Sequence, residues 1–559
     1  MFNRGKTSLP FVFLGPPLAL MAVLGLVPTV AAINLALRNR VLRYPDSEYV
    51  WLRNFARLFS DRRFLNSIEV SAIWEITTVV GAVVVGVLVA IYLFEQMHGR
   101  MRSVISLLLI VPVLLPRVSA AFIWKFMYSP LTGILSWFLG LLGVENTAFL
   151  SDPHLALYAV AVVDIWQWGL FFGVVILKLL ETLPPEPLEA ARLDYSRTWQ
   201  VYAYIALPML KVPIMSLAFI KMVESLRSFD LVYVMTKGGP GITTETLDMY
   251  AYSQGIGVSG KVSYASSMAV LMMVATTLIF TFIWKRVNKW ERLISRSTSW
   301  SLGAVLAIVA VFPIFWAFLN SLKNLLDIVT PTPRFFFSPT LDNYRQVVSS
   351  PEVLIGLANS LSIVGSAVVL GALLGVPAAY VIARYHLPGK RDIQFFLLSL
   401  RFLPPVAIAV PLIAIWVDVG LYDTKLSMVV TYLLVTLSTI TWLSIPVFQR
   451  LPREVEEAAT LDGYGPYGVF WRIALPISAT TLMGGIVFSF VLVWNELMIA
   501  LALTSSRSAT LPVVASAFTS LGQEVPWGVI NASTVLLALP PIIFVGVLSR
   551  LLNSMLKGK

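Results

Sequence analysis

The 559-residue chain offers few groups for covalent chemistry: it has no cysteine, and its three histidines, His98, His154 and His386, are scattered. Thiolate nucleophiles, disulfide frameworks, thiolate zinc sites and iron–sulfur clusters are excluded, and a histidine metal site is short of donors. The polar groups that stand out are Glu75, Arg117, Asp164, Lys221, Glu224, Arg227, Asp230, Arg401, Asn495 and Glu496, all set within long apolar runs. Charge at such depth costs roughly 2.5 to 3.5 kcal/mol per group on insertion scales, so it faces a cavity or a partner. These side chains can hydrogen-bond a polar solute, or they can pair between helices; Glu224 and Arg227, three apart, suit a pair. The run from Gly255 through Gly257 and Gly260 to Lys261 imitates a phosphate loop. Val262 stands where Ser or Thr would coordinate magnesium, and no strand precedes it, so this chain is not expected to hydrolyse ATP.

The elements that carry these groups are membrane spans. Hydrophobic residues make up 57% and charged residues 13%, about half the roughly 25% charge of soluble domains. Arg4 and Lys6 precede an apolar run from Leu9 to Leu37, longer than the core of a cleavable signal and therefore a retained span. At roughly 20 residues per span, the pattern predicts twelve: 9–37, 70–94, 103–128, 155–180, 207–235, 264–285, 300–320, 357–384, 393–417, 427–449, 475–503 and 528–550. Leu131 to Val144 reads as an interfacial helix. An inside N-terminus places Arg100, Arg102, the stretch Lys285 to Arg296, Arg384, Lys390, Arg391, Lys557 and Lys559 in the cytoplasm. Seven arginines between Arg38 and Arg63 disagree, because they fall outside. The net charge of +11 is spread through short loops, which fits anionic lipid better than nucleic acid.

The two halves repeat. Leu52-Arg-Asn54-Phe55 before the second span is echoed by Leu341-Asp-Asn343-Tyr344 before the eighth. Residues 183–208 and 451–476 match at 13 of 26 positions without a gap, at a constant offset of 268. Each copy follows a fourth span, so the repeats are parallel rather than inverted. In each copy a proline suits the start of a short helix, and Glu186, Glu189, Glu454 and Glu457 lie near its positive end. Ala190, Ala191, Ala458 and Ala459 keep one surface small enough for another protein's groove to approach. Asp462-Gly463 predicts a tight stop with positive φ at Gly463, and a second short helix is expected to end at Pro476. The product is a helix–turn–helix projecting from the membrane, shaped as a docking surface.

Glu-Ala-Ala, two residues, Asp-Gly, then nine residues to Ile-x-Leu-Pro resembles the signature loop of the membrane subunits of binding-protein-dependent ABC importers. The copy at Glu457, Ala458, Ala459, Asp462, Gly463, Ile473, Leu475 and Pro476 matches throughout; the copy at Glu189, Ala190, Ala191, Asp194, Ile205, Leu207 and Pro208 departs at Tyr195. Ser228 to Pro240 is similar to the end of the fifth span in the first subunit of sugar-type permeases, and Val493 to Leu497 to that of the second. The resemblance implies an all-α polytopic protein of two fused six-helix permease halves, 1–284 and 300–559, joined by a basic linker, 285–299. It implies a carbohydrate or polyol permease working by alternating access. Two separate ATPase subunits would carry ATP and magnesium and grip Glu189, Ala190, Ala191, Asp194, Glu457, Ala458, Ala459, Asp462 and Gly463. An extracytoplasmic solute-binding protein would deliver solute to a cavity near Asp230, Tyr233, Asn495 and Glu496. No cofactor or metal is expected in this chain, and the termini are expected in the cytoplasm. Fused permeases for ferric ion, thiamine or polyamine share the docking loops, and an ion-coupled secondary transporter is the alternative of another class. Trp166 and Trp168 read as packing residues, and Pro404-Pro405 and Pro540-Pro541 as helix breaks or kinks.

Overall fold

The structure, a computed structural model, describes residues 8–42, 47–144, 148–194, 198–226, 228–257, 259–287, 302–330, 332–401, 403–517 and 526–557. Among them there is no β-strand, only an isolated bridge between Arg38 and Tyr49. The linker lies mostly outside the described residues, as do Tyr195 and Arg227.

Among the described residues, seven helices are long and apolar enough to cross a membrane singly: Leu9–Ala36, Arg62–Gln96, Ala156–Leu180, Pro351–Arg384, Lys425–Arg450, Pro466–Trp494 and Trp527–Phe544. Three further expected spans carry shorter apolar helices, Val262–Leu278, Ile308–Ser321 and Pro405–Asp418. The remaining two are sharply bent helix pairs rather than single helices. The third breaks at Leu115-Pro116 into Gly99–Leu114 and Arg117–Met127, which meet at 97°. The fifth bends by 70° between Tyr202–Met209 and Lys211–Ser225. Pro213 has no N–H to donate to the preceding turn, so the helix restarts at Lys211 with that proline in its first turn. The expected interfacial segment contains a helix, Ile134–Leu141, with Leu131, Phe138, Leu141 and Leu142 exposed.

The core of each half is one pair of spans in close contact, Arg62–Gln96 on Ala156–Leu180 and Pro351–Arg384 on Lys425–Arg450. Glycine permits the approach: a Cβ at Gly86 would lie 2.7 Å from the Phe172 Cβ, and one at the corresponding Gly375 would lie 2.8 Å from the Thr441 Oγ1. Without a hydrophobic drive between helices in lipid, such small residues let dispersion and hydrogen bonding hold the pair. The short echo before these spans has a shared structural cause. Asn54 Nδ2 donates to the carbonyls of Ala36 and Arg38 at 2.8 and 2.7 Å, and Asn343 Nδ2 to those of Ser321 and Lys323 at 2.9 and 2.7 Å. Each asparagine closes the open carbonyl end of its half's first helix.

The first helix of each half also packs on the other half. Leu9–Ala36 lies against Pro351–Arg384, Pro405–Asp418 and Lys425–Arg450, while Leu302–Ser321 lies against Gly99–Leu114 and Arg62–Gln96. Near its start, Phe13 meets Tyr467 and Phe470 edge-on at 5.5 and 4.9 Å, so this end lies beside the second repeated loop. Its other end is tied to Asn54, just before the 35-residue helix Arg62–Gln96, which runs back about 50 Å. There Glu95 accepts from Tyr202 of the first repeated loop at 2.5 Å. Both loops therefore lie on one face, as parallel repeats require.

Of the seven discordant arginines, Arg43 lies outside the described residues; the other six sit on the opposite face, several with partners of their own. Arg40 pairs with Asp418 at 2.8 Å and Arg63 with Glu245 at 2.6 Å. Arg38 covers the Tyr49 ring at 4.2 Å and Arg57 the Tyr264 ring at 5.1 Å. Their charge serves packing of the loops on that face, so it does not report the side of the membrane as free loop charge would.

Candidate functional site

Two regions gather the residues singled out in the sequence. The first is the pair of repeated loops. In the second copy, helix Arg453–Leu461 ends in a Schellman cap: Gly463 N–H donates to Thr460 O and Tyr464 N–H to Ala459 O, each at 3.1 Å. Gly463 has φ of 90°, in the left-handed region expected there. Glu454, Glu457 and Ala458 are exposed, and Leu461 is 89% exposed, so one stripe of this helix faces away from the bundle. Ala459 and Ala191 are instead buried at 4%, turned to their own bundle. The small surface offered outward is thus Ala190 and Ala458, one alanine of each pair, with Glu189 and Glu457 beside them. The backbone of helix Pro185–Asp194 is described as far as Asp194, but not that residue's side chain.

Pro476 does not end the second helix as expected. Residues Val469–Ala474 form a π-turn that leads directly into Leu475–Trp494, and Tyr202–Ala206 does the same ahead of Pro208. The wider i→i+5 turn gives the proline ring room against the preceding carbonyls, so the loop's second helix and the fifth span form one continuous lever in the second half.

An ion pair missed in the sequence fixes the loop's first helix, at the base of that lever, to the eighth span. Glu456 is 2% exposed and accepts from Arg384 Nε at 2.9 Å, while Arg384 Nη2 donates to Leu451 O at 2.6 Å. Burial pushes the Glu456 carboxyl above its ordinary value, and Arg384 offsets part of that. At the offset of 268 the first copy has Leu188, buried at 3%. At this position the two loops are seated by different chemistry, an ion pair in one half and a leucine in the other. A Glu among three acids in the Arg453–Leu461 helix carries no sequence signal of which one turns inward until the helix phase is known.

The second region is a cavity of about 130 Å³ between the halves, lined by Arg117, Gln167, Trp168, Glu224, Phe229 and Asp230 from the first and Pro405, Tyr432, Asn495 and Glu496 from the second. Asp230, Asn495 and Glu496 are thus brought together as expected; Tyr233 is not. It stacks behind Phe229 at 5.1 Å and meets Tyr252 at 5.6 Å. Trp168 packs on Phe171 and Phe172 as read and also lines the cavity, whereas Trp166 donates to Val309 O at 3.1 Å and packs on Trp124.

The breaks in the third and ninth spans shape this space. Leu115-Pro116-Arg-Val118 and Leu403-Pro404-Pro-Val406 are a further echo between the halves, overlooked in the sequence, and each break brings a residue, Arg117 or Pro405, to the cavity. Gln167 Nε2 donates to the carbonyls of Pro112 and Leu115, at 2.9 and 3.2 Å, satisfying backbone that the break leaves unbonded in the membrane.

Not every polar group there is available to a solute. Glu496 accepts from Ile499 N at 2.7 Å, Ala500 N at 3.2 Å and Tyr432 OH at 3.0 Å, capping helix Met498–Leu503. The side-chain carbonyl of Asn495 is buried and has no hydrogen-bond partner among the described residues. Behind the wall, Lys221 and Asp164, 0% and 1% exposed, pair at 2.7 Å; Lys221 also donates to Ser225, and Arg117 lies 3.8 Å from Asp164. Removing one member of a buried pair leaves the other uncompensated, at about 3–5 kcal/mol. Lys221→Met is expected to lower the unfolding temperature of the purified protein, and adding Asp164→Asn to recover most of the loss. Equal destabilisation in the single and double variants would show that the pair is not what holds this region.

The imitation phosphate loop lies at the end of helix Leu247–Gly255, where Gly260 O accepts from Leu42 N at 2.8 Å on the face opposite the repeated loops. A helix rather than a strand precedes it, and it ties the loops of that face together.

A sequence profile described as "Binding-protein-dependent transport system inner membrane component" matches the chain twice, over residues 82–293 and 367–557. The chain belongs to this family. Its two matches make it a fused permease with both membrane components in one polypeptide. It is 28% identical over 287 residues to the trehalose/maltose transport system permease protein MalF of Thermococcus litoralis, covering 51% of this chain and 96% of that protein. It is 31% identical over 258 residues to the trehalose transport system permease protein SugB of Mycobacterium tuberculosis, covering 46% and 94%. A sulfoquinovosyl glycerol transport system permease protein, SmoH, of Agrobacterium fabrum is 29% identical over 246 residues, covering 44% and 86%. Each of these relatives spans about half of this permease. As a family member with apolar helices of spanning length, it is an integral protein of the inner membrane, and its family relatives are permease subunits rather than enzymes.

Proposed function

We propose that this chain is the permease of an ATP-driven importer that moves a carbohydrate or polyol into the cytoplasm by alternating access. The cavity between the halves carries this reading: an indole face, an unbonded amide carbonyl and carboxylates surround one space, the chemistry that binds a sugar ring's apolar face and its hydroxyls. The relatives named for trehalose, maltose and sulfoquinovosyl glycerol transport agree with it. The units are residues 1–284 and 300–559, with 285–299 as the linker. Asp230 and Asn495 meet the solute, joined by Trp168, while Glu496 orients the second half's wall.

Two ATPase subunits on separate chains, holding ATP and magnesium, engage the exposed stripes around Glu189–Asp194 and Glu457–Gly463. An extracytoplasmic binding protein delivers the solute on the opposite face. The termini then lie with the ATPases in the cytoplasm. Among the described lining residues, three carboxylates against one arginine are what favours the second reading, a fused permease for a cation such as a polyamine.

Identifying the solute retained by the external receptor that co-purifies with the complex separates these readings: a sugar supports the first, a cation the second. Uptake that survives loss of the ATPases but collapses with the ion gradient would overturn both. Within the first reading, Trp168→Ala should lower solute uptake up to about tenfold, since an aromatic face contributes roughly 0.5–1.5 kcal/mol. Unchanged uptake would return Trp168 to a packing role.

A further inference from the structure

A trough on the membrane-facing surface follows the first helix, Leu9–Ala36, where it packs on the second half. Its deep part, about 180 Å³, is walled by Val23, Leu24, Val27, Pro28, Trp416 and Leu434. A shallower continuation of about 500 Å³ shares Val27 and Ile415 with it and ends at Asn34, Arg40 and Asp418. Val23, Val27 and Val30 are 56%, 47% and 62% exposed, which on a membrane span means exposed to hydrocarbon. From Val23 to Asn34 the helix rises about 16 Å, half of a hydrocarbon core of roughly 30 Å. The apolar length thus matches one leaflet, and the polar end falls at its headgroup level.

That end has a sign. Arg40 Nη1 and Nη2 grip Asp418 Oδ2 and Oδ1 at 3.1 and 2.8 Å, with the arginine side chain 19% exposed and the aspartate 55% exposed. The accessible group is the carboxylate, which attracts an ammonium and repels a headgroup of net negative charge. We propose that this trough is a phospholipid site: one acyl chain fills it in the leaflet away from the repeated loops, and an amine-bearing headgroup lies against Asp418, with Arg40 beneath to meet the phosphate. The lipid would seal the seam between the first helix and the other half.

The test uses the full chain in nanodiscs of equal phosphatidylethanolamine and phosphatidylglycerol, released for native mass spectrometry with graded activation. The wild type is expected to hold one phosphatidylethanolamine after the other lipids have left. Val27→Trp, which fills the trough, should lose that molecule, and Asp418→Asn should keep one lipid but bind both headgroups equally. Equal lipid retention by wild type and Val27→Trp, or a wild-type preference for phosphatidylglycerol, would overturn the proposal. Because Asp418→Asn leaves the apolar walls untouched, an unchanged headgroup preference in it would overturn the assignment of Asp418 even if Val27→Trp failed to insert.

Discussion

Replacing Arg384 with leucine is expected to uncouple the second half from its ATPase while the first half stays engaged. The substitution strands the Glu456 carboxyl in a site 2% exposed, and stranding one partner of such a pair costs about 3–5 kcal/mol. The helix Arg453–Leu461 can avoid that cost only by rotating Glu456 toward water, which turns the stripe of Glu457, Ala458 and Leu461 away from its proposed partner. Arg384 also holds the Leu451 carbonyl at 2.6 Å, so the entry to the helix loosens as well. The double variant Arg384→Leu, Glu456→Leu gives the second half the apolar seat that Leu188 already provides in the first, and it should recover most of the ATPase association. Co-purification of the ATPases and solute-stimulated ATP hydrolysis read both variants. If the double variant is as impaired as Arg384→Leu, the pair does more than seat the helix; if Arg384→Leu is unimpaired, the lever is not held here.

Gly463→Val is the second expected large effect. At φ of 90° a β-branched residue is strained, at roughly 1–2 kcal/mol for the left-handed region alone. The Schellman bonds from Gly463 to Thr460 and from Tyr464 to Ala459 would open to relieve it. No atom of the described residues lies within 4 Å of a Cβ built at this glycine, so the strain is conformational and confined to the cap. The chain should insert and fold normally while ATPase association falls. Gly463→Asn, which tolerates positive φ, should retain most of it. Equal loss in both variants would point to contact with the glycine surface rather than to the cap, and no loss in Gly463→Val would remove the loop from the coupling path.

The sequence alone determined the membrane class, the tandem parallel repeat and the two loops, because apolar run length and a long ungapped echo are local properties that need no tertiary contact to read. The closing asparagines, Asn54 and Asn343, were visible as an echo although their bonds were not. Asp230 and Asn495 were legible because a polar group inside an apolar run must face something. What they face was decided by the tertiary structure, through breaks at Pro116 and Pro404 whose matching positions were in the sequence, whereas the 97° angle at the first was not. The packing also took Tyr233 out of the cavity, brought Trp168 into it and engaged Glu496 as a helix cap. The same holds for the loops: spacing gave the turn at Gly463, but the inward turn of Ala459 and the Arg384–Glu456 pair depend on helix phase against a span more than 60 residues away. Helix phase is set by which face finds a complementary surface, and that surface exists only once both halves have packed.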